Sequence, residues 1–332
     1  DLADRLETLA YNALPGTCTA DMQFHQYDQQ ANQVDASVAP RGFDNSETAN
    51  LYAFAPHYPC CAYNMHHAWP RLVEHLWMAT HDQGLVAVAY APCRVSALVA
   101  DGCRVTVTET TEYPFDGTVR FRLDTERPVR FPLSFRIPGW ADGAELSFPG
   151  GTARCVSGTI HRVERAWQGG DQCTLTMPMR IRTQTRFNGA MAILRGPLCF
   201  SLRIGASYRD LGGGTGWVIQ ATTPWNYGLE TTSDGRDIEA TRNAVGDFPF
   251  ASSGEPVNGE TWTGSEPVVL KARGRRLPGW GRDREFPANA ADPPPSPLRA
   301  DGPLENLELI PYGCSRLRIS EFPWIQRTDT RR

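Results

Sequence analysis

The sequence lacks features that would each define a class of protein. No stretch of its 332 residues approaches the roughly 20 consecutive apolar residues that a membrane-spanning helix needs, so no membrane span is predicted. Residues 1–15 have neither the basic start nor the apolar run of a signal peptide. The net charge of −4 provides no broad cationic surface, which argues against nucleic acid as a partner. These absences favour a neutral substrate.

The chain also lacks a dense cysteine framework and an initiator methionine. Its nine cysteines, an odd number, are spread over a long chain and do not resemble the closely spaced pairs of a small secreted domain. The first residues read like the middle of a domain, so we expect the chain to be part of a longer protein. Compartment and oligomeric state are therefore not predicted.

An amphipathic helix is predicted at the start of the chain. Leu2, Leu6 and Leu9 recur at helical spacing, which predicts a helix over residues 1–13 that stops at Pro15.

A second helix is predicted over residues 64–80, where apolar residues fall three and four apart and form one buried stripe. Pro70 is compatible with this helix if it lies in the first helical turn. At any later position it is expected to kink the helix. Residues 17–63, between the two helices, are polar and irregular, and a loop of that length in a compact protein usually carries function. The apolar stripe consists of Met65, Ala68, Trp69, Leu72, Val73, Leu76 and Trp77.

The remainder of the chain alternates apolar and polar residues between turn signals, which is typical of antiparallel β-sandwiches. One such domain takes about a hundred residues. We therefore predict a helical part at residues 1–83, a first sandwich at 84–184 and a second at 185–332. The glycine-rich segment 212–216 is not predicted to be a phosphate loop, because no Lys-Ser or Lys-Thr follows it and no helix begins there.

Two adjacent thiols, Cys60 and Cys61, stand where the second helix is expected to begin. A helix N-terminus favours the thiolate form, which is both a nucleophile and a zinc ligand. The alternative is a packed thiol without function, since free cysteine is among the most buried residue types. A disulfide between adjacent cysteines is disfavoured by geometry.

A zinc site cannot be assembled from this segment alone. Tetrahedral zinc takes about four ligands, and Cys60 and Cys61 supply at most two of them. The nearby histidines have none of the spacings typical of a self-contained site, and each is equally well explained as a hydrogen-bonded polar residue. These histidines are His25, His57, His66 and His67. The other seven cysteines are interpreted as structural.

Several blocks of sequence stand out in order along the chain. They are ADRLE at residues 3–7, YNALP at 11–15, YDQQANQ at 27–33, Cys60-Cys61 with Asn64, YPFDG at 113–117, RIPGW at 136–140, RGPL at 195–198 and IPYGC at 310–314. Together they resemble glycoside hydrolase family 127, the bacterial β-L-arabinofuranosidases and their relatives. Several blocks in the same order are more specific than a single motif, and they favour a functional Cys60.

The resemblance implies a mixed, mainly β fold: the last helices of an (α/α)6 barrel, followed by two antiparallel β-sandwich domains. It implies a retaining hydrolase in which a zinc-bound thiolate, Cys60, attacks the anomeric carbon of an L-arabinofuranoside while a glutamic acid protonates the leaving oxygen. Cys61 is then a second Zn²⁺ ligand, and Glu7 and Tyr27 contact the sugar. The remaining ligands and the acid/base glutamate are expected upstream of Asp1, so this chain alone is expected to be inactive.

Two alternative interpretations without a catalytic role stay open. Glu7 could be a solvated helix residue and Tyr27 a core aromatic. The visible fold could also serve as a noncatalytic carbohydrate-binding or packing module. In that case a sugar-stacking face could be formed by Trp140, Trp217, Trp225, Trp262 and Trp280, although most tryptophans belong to cores.

Overall fold

A computed structural model describes residues 2–42 and 45–326, except for the side chains of residues 61 and 62. The fold is mainly β with a few short helices, which confirms the mixed, mainly β part of the predicted class. Within these residues no helix is long and apolar enough to cross a membrane. The chain forms two compact units, one from Asp1–Ala10 and His67–Arg180, the other from Tyr11–His66 and Ile181–Arg332. The three-part division at residues 83 and 184 stays a prediction.

The first unit contains two sheets. In spatial order, the six-stranded sheet consists of Gly151–Arg154, Glu145–Phe148, Gln172–Thr176, Thr118–Thr125, Cys103–Thr111 and Cys93–Val99. The four-stranded sheet consists of Ile160–Trp167, Val129–Arg136, Leu85–Ala87 and Trp77–Ala79. Inward side chains of the two sheets meet, because the Phe121 ring lies 5.7 Å from that of Trp77 and 5.0 Å from that of Phe135. Burial of these large apolar side chains is the main stabilising term of this sandwich.

The predicted first helix is present, but it is not a uniform α-helix, and helical structure continues through Pro15 in the helix Leu14–Thr17. An α-helix spans Leu2–Thr8 and continues as a π-helical turn over Leu9–Ala13. Its apolar stripe is not buried within the first unit, since Leu2 is 82% and Leu9 61% exposed. The buried face of this helix carries Glu7 instead.

The predicted helix at 64–80 is wrong in its bounds. Two short helices, Cys60–Met65 and Ala68–Glu74, replace it, and Trp77–Ala79 is a strand. Pro70 lies in the first turn of the later helix, where its missing N–H costs nothing. In one continuous helix that N–H would bond to the carbonyl of residue 66, which explains why the break falls there.

The second unit is built on an eight-stranded sheet. Its path runs through Ile181–Thr185, Met191–Arg195, Leu198–Leu202, Leu304–Pro311, Val268–Arg276, Tyr227–Thr231 and Trp324–Gln326, and Glu239–Arg242 pairs with Val268–Arg276. A four-stranded sheet contains Ala206–Asp210, Gly216–Ala221, Asp35–Ala36 and Tyr52–Ala53. Two small ribbons join Asn32–Gln33 to Arg318–Ile319 and Pro256–Val257 to Glu260–Thr261. A short helix, Leu14–Thr17, and two 3₁₀ turns, Phe187–Gly189 and Tyr312–Cys314, complete the described elements.

The long segment predicted to be irregular thus pairs with two strands from later in the chain, Gly216–Ala221 and Arg318–Ile319. Gly216, where Tyr52–Ala53 pairs with Gly216–Ala221, has a φ of +154°, and a Cβ there would meet the Tyr52 carbonyl oxygen at 2.5 Å. Only glycine fits so close a backbone approach. The glycines before it form a hairpin loop in which Gly214 N–H donates to Asp210 at 3.2 Å, so the segment does not begin a helix.

Candidate functional site

The thiol of Cys60 is exposed and stands at the first residue of the helix Cys60–Met65. Pro59 occupies the preceding position, where its fixed φ suits entry into a helix. The Asn64 side-chain amide donates to the Cys60 carbonyl at 2.8 Å and reinforces this short helix. An exposed thiol can reach a ligand, so the packed-thiol alternative does not describe Cys60. The Cys61 side chain lies outside the described residues, and its role as a zinc ligand stays a prediction.

Three aromatic rings gather beside the segment that leads to Cys60. The Tyr27 ring lies 4.6 Å from the His57 ring and 6.4 Å from the Tyr58 ring, both nearly edge-on. His57 and Tyr58 are 4.3 Å apart. Tyr27 is half-buried while Tyr58 is 62% exposed. The structure therefore brings the predicted Tyr27 next to residues 57–60, with ring faces and polar edges of the kind that suit a sugar. Its contact with substrate stays a prediction.

A buried arginine that the sequence did not single out holds the segment that follows Tyr27. The guanidinium of Arg318, which is fully buried, donates to the hydroxyls of Tyr312 at 3.1 Å and of Tyr52 at 2.8 Å. Tyr312 in turn donates to the Gln29 side chain at 2.9 Å. Burial acts to lower the pKa of Arg318, but the two tyrosines outweigh it and raise that pKa. This network joins two of the sequence blocks, 27–33 and 310–314.

Glu7 is buried, which excludes the reading of it as a solvated helix residue. Its side chain is 1% exposed, and its carboxylate lies 2.5 Å from a guanidinium nitrogen of Arg136. Arg136 also contacts Asp4 at 2.5 Å, and the Asp4 carboxylate accepts a hydrogen bond from Gly139 N–H at 2.9 Å. Burial raises the pKa of Glu7, and Arg136 opposes that rise. The contact of Glu7 with sugar stays a prediction.

Replacing Glu7 with alanine is expected to lower the free energy of unfolding of the first unit by about 2 kcal/mol, because Arg136 then keeps only Asp4 as a counter-charge. Denaturant titration measures the change. Glu145→Ala is the matched control, since Glu145 pairs with Arg154 at 3.8 Å in an exposed position, and its loss should cost less than about 1 kcal/mol. Equal effects of both substitutions would contradict a structural role for the Glu7 ion pair.

No group of three or more His, Cys, Asp and Glu side chains in the described part of the chain is arranged to hold a metal ion. His25 is buried and its backbone bridges Cys18 and Ala53, which suits a structural residue. Burial raises the pKa of the Cys18 thiol to about 11 and that of Cys173 to about 12, so neither thiol favours the charged form that zinc requires. The described side chains alone therefore do not fit a tetrahedral zinc site.

The five tryptophans proposed as a sugar-stacking face are all buried or half-buried. Trp280 is 3% exposed and its ring packs edge-on against Trp225 at 5.6 Å. Trp217 and Trp262 pack against Tyr208 and Phe248 at 6.2 and 5.6 Å. Trp140 stacks on Tyr113 at 6.5 Å. These rings belong to cores, so this version of the binding-module hypothesis is not supported.

A buried carboxyl group in the first unit, that of Glu109, has a pKa well above its usual value. Glu109 is 2% exposed and accepts hydrogen bonds from Trp77 Nε1 at 3.0 Å and from Ala91 N–H at 3.1 Å. Burial raises the pKa of Glu109 from 4.5 to about 8, against the opposing effect of these donors. The folded state therefore holds a proton here that the unfolded state releases above pH 4.5.

The contribution of Glu109 to the free energy of unfolding is accordingly expected to be greatest below pH 4.5. It should fall as the pH rises from 4.5 to about 8. The slope contributed by this group is up to about 1.4 kcal/mol per pH unit. Urea unfolding at pH 6 and pH 7.5 should show a loss of about 2 kcal/mol that Glu109→Gln removes. A pH slope that is the same in the variant would contradict the assignment.

Comparison with solved structures shows which proteins share the fold of this chain. The fold matches a structure described as a glycoside hydrolase with a TM-score of 0.63 and 19% identity, over 97% of this chain and 48% of that one. It also matches Ara127N-Se, a GH127 β-L-arabinofuranosidase from Geobacillus stearothermophilus T6, with a TM-score of 0.64 and 20% identity, over 98% of this chain and 46% of that one. A further GH127 β-arabinofuranosidase matches at 0.62 and 15% identity, over 98% and 47%.

A family model matches part of the first unit in sequence. Residues 84–179 match the model of the β-L-arabinofuranosidase GH127 middle domain. This match confirms the predicted resemblance to glycoside hydrolase family 127, whereas the structural likenesses, at 20% identity or less, establish the fold alone. No curated protein matches the chain significantly. The chain spans less than half the length of the three solved structures.

Proposed function

We propose that this chain forms part of a retaining glycoside hydrolase that releases β-L-arabinofuranose, or a related sugar, from plant glycans, with Cys60 as the nucleophile. The family match of residues 84–179 supports the class of reaction. The observation that carries the assignment to Cys60 is its exposed thiol at the start of a helix, next to His57, Tyr58 and Tyr27.

In the proposed reaction the Cys60 thiolate attacks the anomeric carbon and displaces the glycosidic oxygen, which takes a proton from an acid outside this chain. Water then gives its proton to the deprotonated acid and attacks the same carbon, which breaks the carbon–sulfur bond and frees both the sugar and the Cys60 thiolate. Tyr27 and Tyr58 would pack against the sugar ring, and the Arg318 network would hold the residues that follow Tyr27 in place. Hydrolysis thus depends on side chains from early in the second unit, such as Tyr27, that are held in place by residues from late in it, such as Arg318.

A Zn²⁺ ion is part of the proposal, with Cys60 and Cys61 as two of its ligands. When bound, it would keep the thiols deprotonated at neutral pH. On the family resemblance, the other ligands and the acid/base glutamate are proposed to come from sequence upstream of Asp1.

We further propose that the short helices are the last helices of an (α/α)6 barrel. Support comes from the apolar faces they leave open: Leu2, Leu6 and Leu9 are 82%, 45% and 61% exposed, and Val73 is 58% exposed. Apolar side chains gathered on one helix face ordinarily pack against a neighbouring element. Further barrel helices would provide that element.

The test is hydrolysis of an aryl β-L-arabinofuranoside by the product of the complete gene, including any coding sequence upstream of Asp1. We expect release of the aryl group with retention of configuration, and no release by the 332-residue chain alone. A folded complete product that leaves this substrate intact, or a chain that hydrolyses it alone, would contradict the proposal as stated.

A further inference from the structure

The second unit has a cleft of about 970 Å³ that the proposed hydrolysis does not use. Its floor is an outward face of the eight-stranded sheet, formed by the strands Val268–Arg276 and Leu304–Pro311. Its sides include Tyr208 and Pro224. The volume lies in the range of small-molecule sites, which is about 300–1,000 Å³.

On the floor of the cleft, basic side chains of one strand lie opposite an amide and a carboxylate of the next. Arg273 stands opposite Asn306, and Lys271 stands opposite Glu308 on the neighbouring strand. Side chains directly opposite in an antiparallel pair point to the same face, and all four are exposed. Glu239 lies on the other side of Lys271 in the register. Donors and acceptors are therefore interleaved at the spacing of neighbouring strands.

One guanidinium in the cleft is fixed from below by a buried carboxylate. Arg203 contacts Glu266, whose side chain is fully buried, at 2.6 Å, and Glu308 at 3.0 Å. Glu266 is itself held by the Ser252 hydroxyl, which donates to it at 3.0 Å. A polar group fixed in this way loses little conformational entropy when it binds a ligand.

The charges of the cleft balance one another. Arg203, Lys271 and Arg273 face the acidic Glu230, Asp237, Glu239 and Glu308 along the same lining. Glu230 is paired with Arg275 at 2.6 Å. Such a lining has no net positive field for a phosphate or a uronate, but it offers charge-assisted hydrogen bonds to neutral hydroxyl groups.

We propose that this cleft binds a neutral oligosaccharide as a noncatalytic subsite. The mixture of fixed donors and acceptors selects a ligand with many hydroxyl groups, and the Tyr208 and Pro224 side chains provide apolar contact for its C–H faces. The choice of a carbohydrate among such ligands rests on the proposed function.

The test is isothermal titration calorimetry of the 332-residue chain with neutral linear arabino-oligosaccharides. Arg273→Ala removes a floor side chain at an exposed strand position, where little effect on folding is expected. Arg284→Ala is the matched control, since Arg284 is exposed and outside the lining. We expect saturable binding that weakens at least about tenfold in Arg273→Ala and is unchanged in Arg284→Ala.

Three results would overturn the proposal: no binding at several millimolar sugar, equal affinity in Arg273→Ala and the unaltered chain, or tighter binding of oligogalacturonate than of the neutral sugar. Circular dichroism of both variants establishes that they fold alike. Because the readout is binding, absence of hydrolysis leaves this result intact, and loss of binding leaves the role of Cys60 intact. The two proposals therefore fail separately.

Discussion

Cys60→Ser is expected to lower kcat/KM of the complete gene product on an aryl β-L-arabinofuranoside by at least about a thousandfold. Serine keeps the shape of the side chain, but its hydroxyl is not ionised at neutral pH and attacks an anomeric carbon poorly. Because Cys60 is exposed, the substitution should change the free energy of unfolding by no more than about 0.5 kcal/mol. The loss would then report chemistry rather than folding.

The control for this experiment is Cys93→Ser. Cys93 is a half-buried thiol that donates to the Glu109 carboxyl at 3.6 Å, and the proposed reaction gives it no part. Its replacement should leave kcat/KM within about twofold. Unchanged activity in Cys60→Ser would remove Cys60 from the mechanism, while equal losses in both variants would indicate a general effect of thiol removal.

Glu255→Ala is expected to lower the free energy of unfolding of the second unit by roughly 3–5 kcal/mol. Arg316 is 2% exposed, and its Nε donates to the Glu255 carboxylate at 2.6 Å. Burial acts to lower the pKa of Arg316, but Glu255 outweighs it and raises that pKa. Removing the carboxylate leaves a buried positive charge whose remaining described partners are the neutral carbonyls of Pro15, Gly313 and Phe250.

Denaturant titration followed by tryptophan fluorescence measures this effect. Glu260→Ala is the matched control, because Glu260 is exposed on the short strand Glu260–Thr261 and should cost less than about 0.5 kcal/mol. A loss below about 1 kcal/mol in Glu255→Ala would mean that the pair is dispensable. A double variant that also replaces Arg316 with methionine should regain part of the stability, since no unpaired charge then stays buried.

The strands could be predicted from the sequence because their signal is local. In Cys103–Thr111 every second side chain is buried up to Glu109, so the apolar alternation directly reports the face that meets the core. The helix predicted over 64–80 failed because the same apolar spacing also fits a broken helix followed by a strand. Pro70 and the pairing of Trp77–Ala79 with Leu85–Ala87 decide between them.

The candidate site was predictable only where its residues are neighbours in sequence. Cys60 and His57 lie within one short motif, and their proximity follows from it. The partners of Glu7 and Gln29, which are Arg136 and Tyr312, come from distant parts of the chain. Both partners lie in blocks that the family resemblance selected, but no spacing rule connects them. Arg318 had no sequence signal, because a lone arginine in a strand is ordinarily read as exposed.

The Arg318 hydrogen bonds have a consequence for the order of events during synthesis. Gly16, Gln29 and Tyr52 are translated before Arg318, whose guanidinium binds the Gly16 carbonyl and the Tyr52 hydroxyl across 302 and 266 positions of sequence. Until then the Tyr52 hydroxyl can donate to the Gly16 carbonyl, as it does at 2.8 Å in the folded chain, but neither group has the guanidinium that fixes the pair. The segment around Tyr27 therefore acquires its final shape only after Arg318 has been translated, and a nascent chain released before Arg318 would keep that segment open.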